Sequence, residues 1–536
     1  MKKTIALEPI LFYAFLALLL IPVWSMHFFV TGDGPCHLHN SKILLDYWMD
    51  HGKDFYDPFY YLNHDYNPNW LYTLITVPLL EMFNSFWTEK IFFTLYVLGF
   101  GLGIRYLIIG INPKASFISS LGLIFCFHNL VIKGFFNNSL SFVMWFWVAG
   151  WWWRNKDDFR TRTLLINAIL ILGLYSTHPL GLIFGMMMIG SMLLGLWYAE
   201  LREKGGKESL NLFFKRIKAL LLSSLPALIL FAEYMSRSNM TPDTTVHRVK
   251  DSLDFILHLY SLVNVQSSED VFALLASVSC ILLFLTAIVI RLRQRKWQST
   301  DGLLLFLIAA VICILFPPSK IGGGLEISYR MAIIPFLAML FWSATADFPN
   351  WIKIITQVAA LAIGIGFLSI RLPIQLKASE YAQEIYSCDS LIQNKSTIFV
   401  LNYDWEGHTP DGQLIADRAG LFSHVDCYLG TDKSLIISDN YEAHFYYFPV
   451  IVRWQTNMYS QTDKEGINFD NRPPRADIVN YKKRTGEDID YVLMLGYRDE
   501  YKDNPYTAEI FTQLDSDFSK VYTSQFGRAV LYKSKK

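Results

Sequence analysis

The chain has 536 residues, of which 52% are hydrophobic, 16% aromatic and only 18% charged, and its formal net charge is zero. A soluble domain carries about 25% charged residues, so this composition excludes an ordinary soluble protein. Zero net charge removes the electrostatic footprint of a nucleic-acid binder. Six cysteines in so long a chain, none in a Cys-x-x-Cys pair, exclude a disulfide scaffold.

Apolar runs fill the first two thirds, each about the ~20 residues that cross a hydrocarbon core of ~30 Å as a helix. They lie near residues 9–29, 90–111, 115–132, 139–153, 163–177, 180–199, 218–235, 269–292, 301–317, 329–346 and 352–371. The first follows Met1-Lys-Lys but lacks a small-x-small cleavage site and contains Pro22 and Trp24, so it reads as an uncleaved helix. The basic clusters are Lys2/Lys3, Arg105/Lys114, Arg154 to Arg162, Arg202 to Lys218 and Arg291 to Lys296. All fall on one side if every run is a span, which places the N-terminus in the cytoplasm.

Between the first two spans, two segments suit the membrane surface better than its interior. Pro35 to Asp50 starts at a proline and repeats Leu38, Leu45, Trp48 and Met49 on one helical face. Asn69 to Phe83 is apolar but short, with Pro78 and Glu81 inside it, and reads as a juxtamembrane helix. An odd number of spans leaves residues 372–536 outside the cytoplasm, as a soluble α/β domain following a membrane domain of residues 1–371. The tail predicts a helix near 376–393 and strands at 397–401, 434–437, 491–494 and 528–532. Cys126, Cys280 and Cys313 pack in spans, whereas Cys388 and Cys427 fall in the tail, where either free thiols or, in an oxidising compartment, a disulfide fits.

The polar residues that stand out share one side. Asp33 lies in Thr31-Gly-Asp-Gly-Pro-Cys-His-Leu-His39, where the first span ends. An Asp before Gly-Pro is equally explained as a helix cap. A cap accounts for Asp33 but not for His37, one turn further on. His64 and Asp65 form a second cluster in the same loop. Asn137, Asn138 and His178 sit at membrane boundaries, where polar groups line cavities or cap broken helices. Arg330 follows Gly322-Gly-Gly324 and Glu326, placed either to fork onto phosphate oxygens or to anchor at headgroups. Lys320 and Lys133 are further cations on that side. Asp243, His247 and Arg248 in the second loop read as a solvated surface, and Trp405, Tyr446 and Tyr447 as core aromatics.

This layout resembles the GT-C superfamily of polyprenyl-phosphate-dependent glycosyltransferases. One span, a long loop opening on an acidic residue, juxtamembrane helices, further spans and an α/β tail are similar to it over residues 1–371. The Asp33-x-Pro35-x-His37 run is similar to bacterial mannosyltransferase- and arabinosyltransferase-like members. Gly34 stands where the protein-mannosyltransferase branch carries a Glu. The resemblance implies an inverting glycosyltransferase of the bacterial inner membrane, active on its extracytoplasmic face. Asp33 would be the general base, and Arg330, Lys320 and Lys133 would bind the donor phosphate. His37, His64, Asp65, Asn138 and His178 would face the acceptor or line the cavity. The implied partners are a lipid-linked sugar as donor and a glycan, lipid or protein as acceptor. Some resembling families use a divalent metal, although no ligand spacing here specifies one. A transporter or flippase for lipid-linked sugars and a non-catalytic scaffold are the alternatives. The lack of repeated halves and of mid-span carboxylates weighs against the transporter.

Overall fold

Helices occupy each predicted apolar run, and their lengths separate crossing segments from short ones. The computed structural model describes residues 7–237, 249–294, 297–316, 329–462 and 476–536. Among these, six stretches are long and apolar enough to cross a membrane: Leu7–Ser25, Ser85–Ile111, Pro179–Lys204, Gly206–Arg237, Ser267–Gln294 and Asn350–Leu391. Shorter apolar helices, including Thr161–Thr177 and Tyr329–Ser343, lie between them. Large apolar side chains such as Leu221, Leu225, Ile229, Leu282, Ile354 and Val358 point outward from these helices. Water would penalise such a belt and lipid does not, so the chain is an integral membrane protein.

The chain begins with α1 (Leu7–Leu18) and α2 (Ile21–Ser25) and then leaves the bundle. A first long loop contains α3 (Gly34–Trp48), α4 (Lys53–Tyr56), strand β1 (Tyr60–Leu62) and α5 (Leu71–Met82). The bundle resumes with α6 (Ser85–Ile111), α7 (Ile118–Gly122), α8 (Asn129–Lys133), α9 (Phe136–Asn155), α10 (Thr161–Thr177), α11 (Pro179–Lys204) and α12 (Gly206–Arg237). It continues through α13 (Val249–Leu257), α14 (Asp270–Gln294), α15 (Gly302–Leu315), α16 (Ile334–Ser343) and α17 (Asn350–Tyr386). Local chemistry sets several boundaries: Asn84 accepts a hydrogen bond from Trp87 N ahead of α6, and Pro35 occupies the first turn of α3. Both juxtamembrane helices read from sequence are present, as α3 and α5.

Residues 396–534 supply β2 (Ser396–Asn402), β3 (Leu435–Ile437), β4 (Val450–Val452), α18 (Met458–Thr462), α19 (Tyr481–Thr485), β5 (Tyr491–Leu495), α20 (Pro505–Asp517), β6 (Phe518–Thr523) and β7 (Ala529–Ser534). The main sheet has the order β3-β2-β5-β7-β6, parallel across β3, β2 and β5 and antiparallel across β5, β7 and β6. The continuous apolar runs of β2 and β5 suit strands buried on both faces.

Three features depart from the sequence reading. The helix expected near 376–393 is no separate element, because α17 runs unbroken from 350 to 386 with Pro373 inside it. Strand β1 of the first loop pairs antiparallel with β4 of the tail, Tyr60 opposite Val452, so the two regions are hydrogen-bonded together. All six cysteines are free. Cys427 lies against Cys36 rather than Cys388, whose thiol donates to the Ile385 carbonyl at 3.3 Å.

Candidate active site

Asp33 is the residue before α3, yet its carboxylate makes no capping hydrogen bond. The backbone holds it instead. Gly32 N donates to Ile132 O at 3.0 Å, and Asp33 N donates to Lys133 O at 2.9 Å, docking the loop on the end of α8. Gly134 makes this approach feasible: its φ is +91°, and a β-carbon there would lie 2.6 Å from Asp33 N. The Asp33 side chain is therefore not spent on the helix.

The tail supplies what surrounds it. His424 Nε2 faces Asp33 Oδ1 across 3.9 Å, while His424 Nδ1 donates to Asp439 Oδ2 at 3.0 Å. Tyr441 stacks on the His424 ring, with centroids 4.4 Å apart, and its hydroxyl donates to Asp33. On the other side His37 Nδ1 lies 2.9 Å from Glu442 Oε2. The Asp33 and His424 side chains retain 18% and 12% of their surface, so the gap between them is reachable.

Burial raises the Asp33 pKa, and the nearby His424 and His37 only partly offset this. For His424 burial acts against the charged ring, but the Asp439 carboxylate outweighs it and lifts the pKa to about 10. His37 moves upward in the same way, with burial overcome by Glu442 and Asp33. A histidine raised from 6.5 in this way stabilises the fold fully below pH 6.5 and loses that contribution as the pH climbs through 10. Thermal unfolding should accordingly give a midpoint that falls between pH 6.5 and 10, with Asp439→Asn flattening the decline.

A second polar cluster contains Arg330 and His178, against Phe135. The Arg330 guanidinium sits 4.7 Å from the Phe135 ring centroid, and its Nη1 is 3.1 Å from His178 Nε2. His178 Nδ1 accepts from Leu180 N at 3.2 Å, so a neutral imidazole carries its proton on Nε2. The Arg330 guanidinium donates whichever tautomer the ring adopts, and it is the group of this cluster suited to an anion. Asn138, one turn into α9, is 2% exposed, and neither its amide oxygen nor its nitrogen has a hydrogen-bond partner among the described residues.

The other predicted residues lie elsewhere. The Lys133 side chain is exposed, and its carbonyl rather than its ammonium serves Asp33. His64 is exposed in its loop, and Asp65 pairs with Arg237 rather than joining Asp33. Asn137 bridges backbone, accepting from Tyr72 N at 2.8 Å and donating to Asn69 O at 2.7 Å. Lys320, Gly322 to Gly324, Glu326, Asp243, His247, Arg248, Lys2, Lys3, Arg295 and Lys296 lie outside the described residues. Tyr446 is 45% exposed beside exposed Phe445, so this aromatic strip is surface rather than core. No group of three His, Cys, Asp or Glu among the described residues is arranged to hold a metal ion.

His424, Asp439, Tyr441 and Glu442 were not singled out by the sequence reading. They lie about 400 residues from Asp33 in segments with no local motif. Packing of the tail on the first loop brings them together, through β1 with β4 and through Asn40 of α3, which donates to Asn440 and Glu442.

The fold, a helical membrane bundle whose first loop pairs with an α/β region, is one that a solved structure shares. The chain is similar to the solved structure of ArnT from Cupriavidus metallidurans bound to undecaprenyl phosphate, at a TM-score of 0.54 and 12% identity, covering 98% of this chain and 97% of that one. Two structures of the Archaeoglobus fulgidus oligosaccharyltransferase also align. One, tethered to an acceptor peptide, has a TM-score of 0.46 at 9% identity, over 100% of this chain and 74% of that one. The other, of AglB with an inhibitory peptide and a dolichol-phosphate, has a TM-score of 0.46 at 10% identity, over 99% and 74%. No family model and no curated protein matches the chain.

Proposed function

We propose that this protein is a membrane glycosyltransferase that moves a sugar from a polyprenyl phosphate to an acceptor. Its N-terminus would lie in the cytoplasm and its site on the extracytoplasmic face of a bacterial inner membrane. The observation that carries this reading is Asp33, a buried but reachable carboxylate released from capping and facing His424 within a GT-C fold. Bound undecaprenyl phosphate in ArnT supports a polyprenyl phosphate as the donor's carrier.

In the reaction, Asp33 accepts the proton of the attacking group, for which a raised carboxyl pKa is an advantage. Negative charge grows on the departing phosphate oxygen, and the Arg330 guanidinium is the donor assigned to it. Attack opposite the leaving group inverts the anomeric carbon. The exposed strip Phe445 and Tyr446 offers flat apolar surfaces for a sugar ring.

Cells with and without the gene should differ in their polyprenyl-linked sugars and surface glycans when both are profiled by mass spectrometry. Loss of the gene should accumulate one lipid-linked sugar and remove one residue from a glycan or glycolipid. Lipid-linked sugar that accumulates only on the cytoplasmic leaflet would instead indicate a flippase, and unchanged pools a scaffold. Arg330→Gln should lower transfer about 10²-fold, the typical cost of one charge-stabilising donor, with the donor-concentration dependence showing weakened donor binding. An unaltered Arg330→Gln profile would remove Arg330 from the phosphate site.

A further inference from the structure

We propose that Cys36 of the first loop and Cys427 of the tail are joined as a disulfide in the cell, a covalent tie between α3 and the tail beside the candidate site. This rests on the extracytoplasmic placement proposed for both regions and adds a modification site to it.

The two segments meet in a regular register. Val425–Gly430 is a 3₁₀-helix, in which side chains three residues apart share one edge. It lies along the start of α3 with contacts at matched positions. Asp33 faces His424, Cys36 lies against Cys427, and His39 abuts Gly430, each step being three residues in both segments. A β-carbon at Gly430 would stand 2.5 Å from the His39 ring, so glycine is what lets the two backbones come this close. A disulfide needs such an approach, because it spans Cα atoms only about 4.4–6.8 Å apart. One short stretch of the tail also receives both sulfurs. Cys36 Sγ donates to Asn440 Oδ1 at 3.2 Å, and Cys427 Sγ lies 3.9 Å from the carbonyl oxygen of neighbouring Asp439. Cys388, the other thiol of the tail, is turned instead to the Ile385 carbonyl.

Both cysteines are completely buried once the tail is seated, where a thiol is inert. The bond therefore forms as the tail docks, while both thiols are still open to a disulfide-bearing oxidant of the compartment. One cysteine loses its proton and attacks the oxidant's disulfide. A mixed disulfide forms, and one oxidant sulfur leaves as a thiolate. The second cysteine, also deprotonated, attacks the first, which makes the Cys36–Cys427 bond and releases the other oxidant sulfur. The pair gives up two electrons and two protons, and the oxidant takes them to become two thiols. Closing the bond orphans no strong partner. Asn440 Oδ1 keeps its hydrogen bond from Asn40 Nδ2 at 2.7 Å when Cys36 no longer donates. Standing three residues beyond Asp33 and three beyond His424, the tie holds the two faces of the candidate site opposite each other.

The test uses full-length protein in membranes from bacterial cells quenched in acid, which stops thiol exchange. The denatured chain is alkylated with iodoacetamide, reduced, and alkylated again with N-ethylmaleimide, and peptide mass spectrometry assigns the label on each cysteine. Cys36 and Cys427 are expected to carry the second label in most chains, and Cys126, Cys280, Cys313 and Cys388 the first. A digest made without reductant should contain the two peptides linked, lighter by two hydrogens than their sum. Cys36→Ala should move Cys427 to the first label, and Cys427→Ala should do the same to Cys36. In parallel, a protease added to spheroplasts reports on which side of the membrane the tail lies. A tail that is cleaved while wild-type Cys36 and Cys427 carry the first label overturns the disulfide and leaves the transferase reading intact. A linked pair that contains Cys388 overturns it equally. A tail that resists the protease refutes the extracytoplasmic placement itself, and the disulfide falls with it.

Discussion

Asp33→Asn is expected to abolish sugar transfer, with a loss of about 10²–10⁴-fold, the span that a positioned general base contributes. The substitution is nearly isosteric, and the backbone bonds to Ile132 O and Lys133 O are untouched, so α3 should keep its position. Because Asp33 makes no capping bond, its removal takes away no helix stabilisation. Burying a neutral amide in place of a carboxylate also relieves the desolvation that raises the Asp33 pKa. Stability should thus be maintained or gained while transfer is lost. Initial rates from a polyprenyl-linked sugar, set beside thermal unfolding of the same preparation, measure both. Equal loss of rate and of folded protein would mean that Asp33 is structural.

The largest stability effect is expected at Arg371. Its Nε and Nη2 reach Glu269 Oε2 at 2.9 and 2.8 Å, and its Nη1 donates to Phe127 O at 3.0 Å. Glu269 is completely buried and also accepts from Asn264 N at 3.0 Å and Val265 N at 2.9 Å. One ion pair thus ties together α17, the turn before α14 and the turn before α8. Arg371→Met leaves a buried carboxylate without its counter-ion, a change that costs about 3–5 kcal/mol. Replacing both partners, Arg371→Met with Glu269→Gln, should recover part of that loss. Tryptophan fluorescence through thermal unfolding in detergent reads the midpoints, and a single variant as stable as wild type would show the pair to be dispensable.

Much of the bundle was legible because apolar length and basic loops are strong signals. Both surface helices were legible too, since Pro35 and the short, Pro78-interrupted run declare themselves locally. Strands β2, β3, β5 and β7 were found as apolar runs, whereas the three-residue β1 and β4 and the mostly exposed β6 carry too little pattern to be seen. In the site, Asp33 and His37 stood out because glycines and a proline frame them. His424 and Asp439 did not, since an isolated histidine and aspartate in a polar tail look like solvated surface until tertiary pairing buries them. Asp65, by contrast, is a conspicuous charge that the fold pairs with Arg237.

The pairing of β1 with β4 has a temporal consequence. Tyr60 leaves the ribosome well before Val452, yet the two meet in one ladder. Contacts so distant along the chain form late. During synthesis the loop that carries Asp33 is already made while its partner is not, so an unfinished chain holds Asp33 without His424. Such a nascent protein lacks half of the candidate site. The site is assembled only when the last third arrives, which makes completion of the polypeptide itself its on-switch.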